Sequence, residues 1–464
     1  MADVKDSHPL EQGGTYEVTA LRLNDDGEGV TTINGMTVFV PFLLPGERGN
    51  VRVVERQRRF ARATLLDRYD TSPDRQDAPC PVFGACGGCQ AQHLRYDAQL
   101  TWKENRVKRV AQQLGLDADA IVRDIVPSPD AFRYRNQVQM PMRFDADKKQ
   151  VRMGYYGFAS HQMIETDSCH LQSEAMQDTL NRARVFLTDR GADLAGLVHH
   201  VIVRESQTTG EQLVVFVVRH SRGHVRRALA EFEAPHVTSV CLTAQPKAVG
   251  PVWGRKLETL YGPGTLKETI AGLSFAVSPR SFLQIQAPVA EKMYQTVVDY
   301  ADLRSTDVVI DAYCGIGTLT LLLAGRAGQA IGVEEVEASV EDAQINGEDL
   351  GVDNAEFHVG RVEDWLPKWV EDGNRADVVV FDPPRKGIDA AAIQAVLKTG
   401  PRRIVYASCN PATLQRDLKL FLAGGYRVEV MQPLDMFPQT AHLECVTLLV
   451  RDCCSPTIKS FKSE

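Results

Sequence analysis

The sequence predicts an α/β protein with a small N-terminal β-barrel, a central α+β region and a C-terminal, mostly parallel, doubly wound sheet. Three observations carry this. From Gly14 to about Arg68, runs such as TYEVTALRLN, TVFVPFLLPGE and VRVVERQRRFARATLLD alternate with period two between Gly and Pro punctuation, as short strands joined by turns do. After Ser281, the strands DVVIDAY, AIGVEE, AEFHV, ADVVVFD, RRIVYAS and YRVEVM are separated mostly by segments of crossover length, which specifies parallel strands with helices between them. Between these regions lie a cysteine-rich loop, a helix predicted over about Tyr96 to Leu114, and a mixed stretch with strands such as HHVIVRES and QLVVFVVRH.

Composition bounds the function classes. A chain of 464 residues that is 44% hydrophobic and 24% charged is globular and large enough for about three domains. MADVKDSHPL lacks the basic start and apolar core of a signal peptide, and no apolar run approaches bilayer length, so a cytoplasmic protein without a membrane partner is expected. The net charge of -8 runs against a protein coated in positive potential. Arg48, Arg52, Arg56, Arg58, Arg59, Arg62 and Arg68 nevertheless crowd one early stretch, which reads equally as an RNA-facing patch or as a solvated strand face.

In an open α/β sheet, ligands bind beyond the carboxyl ends of the parallel strands. Four segments end there: DAYCGIGT (Asp311 to Thr318) on the first strand, Glu334 on the second, FDPPR with Asp382 on the fourth, and Ser408-Cys409-Asn410-Pro411 on the fifth. Gly315 and Gly317 permit a tight turn close to a ligand, and Glu334 stands where a carboxylate can accept hydrogen bonds from ribose hydroxyls. The turn lacks the third glycine of the dinucleotide fingerprint, which favours an adenosine ligand without pyrophosphate, such as S-adenosylmethionine. Two prolines stiffen the chain where Asp382 leaves the sheet. Cys409 occupies the same edge, where a thiol can act as a nucleophile. Only a short link joins YRVEVM to ECVTLLV, so the last strand should run antiparallel and return His442 and Glu444 to the neighbourhood of Cys409. For Glu444, a catalytic base and a salt-bridged strand start remain equal readings.

Cys80, Cys86 and Cys89 (CPVFGACGGC) place three thiols in one glycine-containing loop. Cys169, in a polar turn, is preferred over Cys241, in a strand, as a fourth. Three cysteines and one remote partner suit an iron-sulfur cluster better than zinc, which usually shows two C-x-x-C pairs. Cys314, Cys445, Cys453 and Cys454 are given no chemistry, and the tail CCSPTIKSFKSE reads as a frayed polar end.

Taken together, CPVFGACGGCQAQH, SFLQIQ, DAYCGIGT, FDPPRKG, ASCNP and HLEC closely resemble the RNA uracil-C5 methyltransferase family over nearly the whole chain. The resemblance implies an OB-like barrel of the TRAM type at 8–70, a central α+β domain with an iron-sulfur cluster at 71–280, and a Rossmann-like class I methyltransferase domain at 281–454. It implies Cys409 as nucleophile and Glu444 as base. Gln284, Tyr313, Gly315, Thr318, Glu334 and Asp382 would form the S-adenosylmethionine and substrate pocket, with Arg361 on the adenine side. Cys80, Cys86, Cys89 and Cys169 would ligate a 4Fe-4S cluster. Family members with both barrel and cluster mostly resemble bacterial 23S rRNA enzymes, so 23S rRNA is the expected partner and the T-loop of tRNA the alternative. Three rivals stand beside this, of which a DNA or small-molecule methyltransferase would fit the C-terminal sheet alone and leave the N-terminal third idle. A radical S-adenosylmethionine enzyme would leave the DPPR and SCNP edge unexplained, and a non-catalytic RNA-binding factor would have no use for Cys409 and Glu444.

Overall fold

A computed structural model describes residues 10–158, 160, 162–247 and 252–452; Cys453, Cys454 and the rest of the expected polar tail lie outside the described residues. The chain forms two compact units, one made of Met1–Arg106, Tyr155–Ile164 and Phe437–Ala441 and the other of the remainder. Among the described residues, no helix is long and apolar enough to cross a membrane.

The first unit carries a six-stranded sheet in the spatial order Thr15–Thr19, Arg48–Arg56, Phe60–Arg68, Met36–Val40, Gly29–Ile33 and Arg22–Leu23. Alternate residues Val51, Val53, Ala61 and Ala63 turn inward onto Val18, Val38, Val40 and Leu43, the period-two pattern of a half-buried sheet. The two outermost strands do not pair with each other. The small barrel expected from the sequence is a half-barrel.

In the second unit, a sheet of mixed direction contains Leu257–Tyr261, Val237–Ala244, Gln212–Val218, Val198–Glu205 and Gln137–Asp145 in that spatial order. Gln212–Val218 is buried at every position, as a strand covered on both faces must be.

The C-terminal sheet of the same unit positions the site. Its strands are β1 (Val308–Ala312), β2 (Gln329–Glu334), β3 (Ala355–Val359), β4 (Val378–Phe381), β5 (Arg403–Ser408), β6 (Tyr426–Leu434) and β7 (Glu444–Arg451). They lie in the order β3-β2-β1-β4-β5-β7-β6. The first five are mutually parallel, and β7 is antiparallel to both β5 and β6. The helices are α1 (Ala287–Ala301), α2 (Thr318–Ala324), α3 (Glu337–Asp349), α4 (Val362–Glu371), α5 (Ala390–Thr399) and α6 (Pro411–Ala423). Local chemistry sets their ends: the Asp389 carboxylate accepts from Ala391 N to start α5, and left-handed Gly400 closes it. Asn410 caps α6, with Pro411 in its first turn.

A helix expected over about Tyr96 to Leu114 is present at Tyr96–Gln113. Its second half, through Val107, Val110 and Ala111, joins the core of Ile310, Val379, Phe381, Ile404 and Tyr406 beneath the C-terminal sheet.

Candidate active site

The carboxyl end of β1 leads into a turn that only particular residues allow. Tyr313 sits at φ 72, Gly315 at φ 54 and Gly317 at φ 81. For a tyrosine the left-handed region costs about 1–2 kcal/mol; Tyr313 N and Cys314 N both donate to Val333 O, at 2.9 and 3.0 Å, and hold it there. At Gly317 a Cβ would lie 2.8 Å from the Phe357 ring and 3.0 Å from Ala343, whereas at Gly315 it would meet nothing within 4 Å. Gly317 is needed for packing, and Gly315 leaves the backbone open to a ligand. Cys314 is buried in this turn.

Glu334 ends β2 and straddles the turn. Its Oε2 accepts from Gly315 N at 3.2 Å and its Oε1 from Val336 N at 2.9 Å, which leaves outer lone pairs for hydroxyl donors. Asp311, buried on β1, accepts from Thr320 Oγ1 at 2.6 Å. Burial, opposed by the Thr320 bond and assisted by the charge of Asp382, raises it to about 7. Asp382 follows β4 and accepts from Gln284 Nε2 at 3.5 Å. Burial raises it too to about 7, with the Gln284 bond working the other way. Gln284 is anchored in turn by Asn136, whose Nδ2 donates to Gln284 O at 2.8 Å.

The cleft between these groups is lined by Phe282, Tyr294, Asp311, Tyr313, Gly315 and Asp382, with Thr318 at the start of α2. The Tyr313 hydroxyl is buried with no partner among the described residues. A buried polar atom left in this state costs free energy unless a ligand satisfies it. The open cradle at Gly315 and the acceptor Glu334 fit an adenosine ligand, and the cleft acids Asp311 and Asp382 suit one that carries positive charge.

Cys409 lies one residue beyond β5. The register Ser408↔Cys445 sets it across from Glu444, the first residue of β7, as the short link in the sequence anticipates. Glu444 is 4% exposed, and among the described residues its Oε2 has no hydrogen-bond partner. Burial and the charge of Asp382 hold its carboxyl well above the ordinary range, with Arg385 opposing. The Cys409 thiol is pushed up to about 12 by burial, then by Glu444 and Asp382; Arg385 acts in the other direction. Arg385, the last residue of FDPPR, contacts His442 Nε2 at 2.9 Å. Its carbonyl accepts from Asn410 Nδ2 at 3.1 Å, which ties the aspartate loop to the cysteine loop. Arg385, Phe282 and Tyr294 are pocket or electrostatic partners that motif spacing does not reveal. The only signals were the basic end of FDPPR and two aromatics within SFLQIQAPVAEKMY.

Arg361 is placed differently from the other expected pocket residues. It precedes α4 and its guanidinium pairs with Glu363 in that helix's first turn, with its side chain 57% exposed. The nearby acids of the helix start draw the cation onto their own surface.

Cys80 and Cys86 are half-buried, and Cys89 is buried. Cys86 N donates to Val82 O at 2.8 Å, and Gly88 N to Cys86 Sγ at 3.4 Å, a donor suited to a thiolate. Among the described residues, no three His, Cys, Asp or Glu side chains are gathered so as to hold a metal ion. Cys169 lies in a polar turn ahead of the helix Glu174–Asp189, its N donating to Gln177 Oε1 at 3.0 Å. Cys241 is buried in its strand, where burial raises its thiol.

Comparison with known proteins agrees with this architecture. Residues 264–365 and 370–452 match the tRNA (Uracil-5-)-methyltransferase family, and residues 9–66 match the TRAM domain. An uncharacterized RNA methyltransferase of Halalkalibacterium halodurans is 38% identical over 454 residues, covering 96% of this chain and 99% of its own. One from Bacillus cereus is 37% identical over 452 residues, covering 96% and 98%. The crystal structure of Pyrococcus abyssi tRNA (uracil-54, C5)-methyltransferase in complex with S-adenosyl-L-homocysteine superimposes with a TM-score of 0.73 at 26% identity, over 94% of this chain and 100% of that one. With its half-barrel, its glycine turn and its cysteine-bearing sheet edge, the chain belongs to the RNA uracil-5 methyltransferase family with an N-terminal TRAM domain, and is an S-adenosylmethionine-dependent RNA (uracil-C5)-methyltransferase.

Proposed function

We propose that the enzyme methylates C5 of a uridine in 23S rRNA through a covalent adduct between Cys409 and C6. The observation that carries the covalent chemistry is the pairing of Cys409 with a buried Glu444 whose Oε2 has no partner among the described residues. C5 of uracil is too weak a nucleophile to attack a methyl sulfonium unaided, and covalent addition overcomes this. The Cys409 thiolate adds to C6, and the displaced electron pair makes an enolate that is nucleophilic at C5. Bound S-adenosylmethionine supplies the electrophilic methyl group. The Glu444 carboxylate then takes the C5 proton, the C5–C6 double bond re-forms and the thiolate leaves. Arg385, the cation acting on both Cys409 and Glu444, favours the thiolate and the carboxylate in turn. Gln284, Tyr313, Gly315, Thr318, Glu334 and Asp382 hold the cofactor, with Arg361 at the rim. The target base must be turned out of its stack to reach this cleft.

RNA contact at the half-barrel is supported by its arginines. Arg48, Arg62 and Arg68 are committed to Glu17, Glu28 and Glu47. Arg52, Arg56, Arg58 and Arg59 are exposed and have no ion-pair partner among the described residues, so they are available to phosphates. The 4Fe-4S cluster is proposed on Cys80, Cys86 and Cys89, with the Gly88 N–H to Cys86 Sγ as support and Cys169 as the fourth thiolate. Iron and sulfide assays on anaerobically purified protein test it; colourless protein holding stoichiometric zinc overturns it.

The tRNA reading is favoured by one observation, the similarity to the Pyrococcus abyssi tRNA (uracil-54, C5)-methyltransferase. Methyl-labelled S-adenosylmethionine, incubated separately with unmodified 23S rRNA and tRNA transcripts, decides between them. Label in 5-methyluridine of 23S rRNA supports the first reading, and label confined to tRNA replaces it with the second.

A further inference from the structure

One side chain in the cleft is used by none of these assignments. Helix α1 buries Val289, Ala290, Met293, Val297 and Val298 along one face, the stripe a helix needs to pack on a sheet. Tyr294 falls in the same stripe and is 7% exposed, yet it ends in a hydroxyl and lines the cleft beside Phe282, Asp311 and Asp382. Among the described residues, no side chain or carbonyl pairs with that hydroxyl. The oxygen is not sealed into the core; it opens onto the cleft, where a ligand can take the hydrogen bond that no described residue takes. The charges that act on the phenol are those of Asp382, Asp311 and Glu444. It therefore stands between the cofactor turn and the edge that carries Cys409.

We propose that the Tyr294 hydroxyl is a further cofactor contact, donating a hydrogen bond to the carboxylate of the methionine arm of S-adenosylmethionine and so fixing the sulfonium relative to the target base. The charge pattern of the cleft selects that end of the ligand. The methionine arm carries an ammonium, a sulfonium and one carboxylate; Asp311 and Asp382 suit the two cations, and no Lys or Arg lines the cleft for the anion. A neutral donor that burial keeps protonated fills that role without repelling the sulfonium. The proposal rests on the family's use of S-adenosylmethionine, not on which RNA is methylated.

The test compares Tyr294→Phe with wild type by calorimetric titration with S-adenosylhomocysteine and with 5′-methylthioadenosine, which lacks the amino-acid arm. The variant should bind S-adenosylhomocysteine about 10-fold more weakly, ~1.4 kcal/mol, and 5′-methylthioadenosine equally well. Unchanged S-adenosylhomocysteine binding overturns the proposal, as does an equal loss for both ligands. The free variant's thermal midpoint should be unchanged, since the hydroxyl bonds to none of the described residues. A fall of several degrees would assign Tyr294 to packing instead. Because both ligands bind without RNA, failure here is distinguishable from failure to find the RNA substrate.

Discussion

At pH 8 the Cys409 thiol of the free enzyme should alkylate about a thousandfold more slowly than an unhindered cysteine, because almost none of it is thiolate. Burial, Glu444 and Asp382 push it to about 12 from an ordinary 9.0. Three pH units separate a thiol that is roughly 10% ionised at pH 8 from one that is roughly 0.01% ionised, and only the thiolate reacts. Timed iodoacetamide treatment between pH 6.5 and 10.5, followed by mass spectrometry of the Cys409 peptide, reads the rate directly. Substitutions give the sign. Glu444→Gln removes a group that raises the thiol and should accelerate alkylation, whereas Arg385→Gln removes the cation that lowers it and should slow alkylation further. A midpoint at or below pH 9 in the wild type would refute the electrostatic account, as would a Glu444→Gln rate no faster than wild type.

Three further outcomes follow from the same geometry. Gly317→Ala forces a left-handed alanine whose Cβ would meet the Phe357 ring at 2.8 Å; a loss of about 2–4 kcal/mol in urea unfolding is expected, and an unchanged midpoint would contradict the packing argument. Asp382 and Asp311 are each raised to about 7 from 3.8, so between these values the folded state holds protons that the unfolded chain has released, and their contribution to stability declines as pH rises until it levels off above 7. Asp382→Asn removes its share of that decline, so its melting temperature relative to wild type should rise between pH 5 and pH 8, checked by calorimetry at both, even as methyl transfer is lost. Replacing Arg52, Arg56, Arg58 and Arg59 together by Ala should weaken RNA binding and flatten its dependence on salt; an unchanged slope in a filter-binding titration would move the RNA contact away from this hairpin.

The sequence by itself determined the C-terminal sheet and which residues stand at its edge. Strands alternating with helix-length segments can close only as a parallel sheet with right-handed crossovers, and the short link from β6 to β7 permits only a hairpin, so Glu444 had to return toward Cys409. The glycine turn was equally legible, because position 317 has room for no Cβ. Periodicity tells which face of an element a residue occupies, not what the side chain meets there. Only the tertiary structure therefore decided that the half-barrel stays open, that Arg361 turns to Glu363, and that Arg385 is held by His442, 57 positions away. It likewise decided that Gln284 hangs from Asn136, 148 positions away, and that Tyr294, indistinguishable from a core residue in its helical stripe, ends at the cleft. Apart from the local Arg361–Glu363 pair, these depend on groups brought together by folding, for which local sequence carries no signal. The charge environment of Cys409 belongs with them, since burial and three side chains from two other segments of the chain set it.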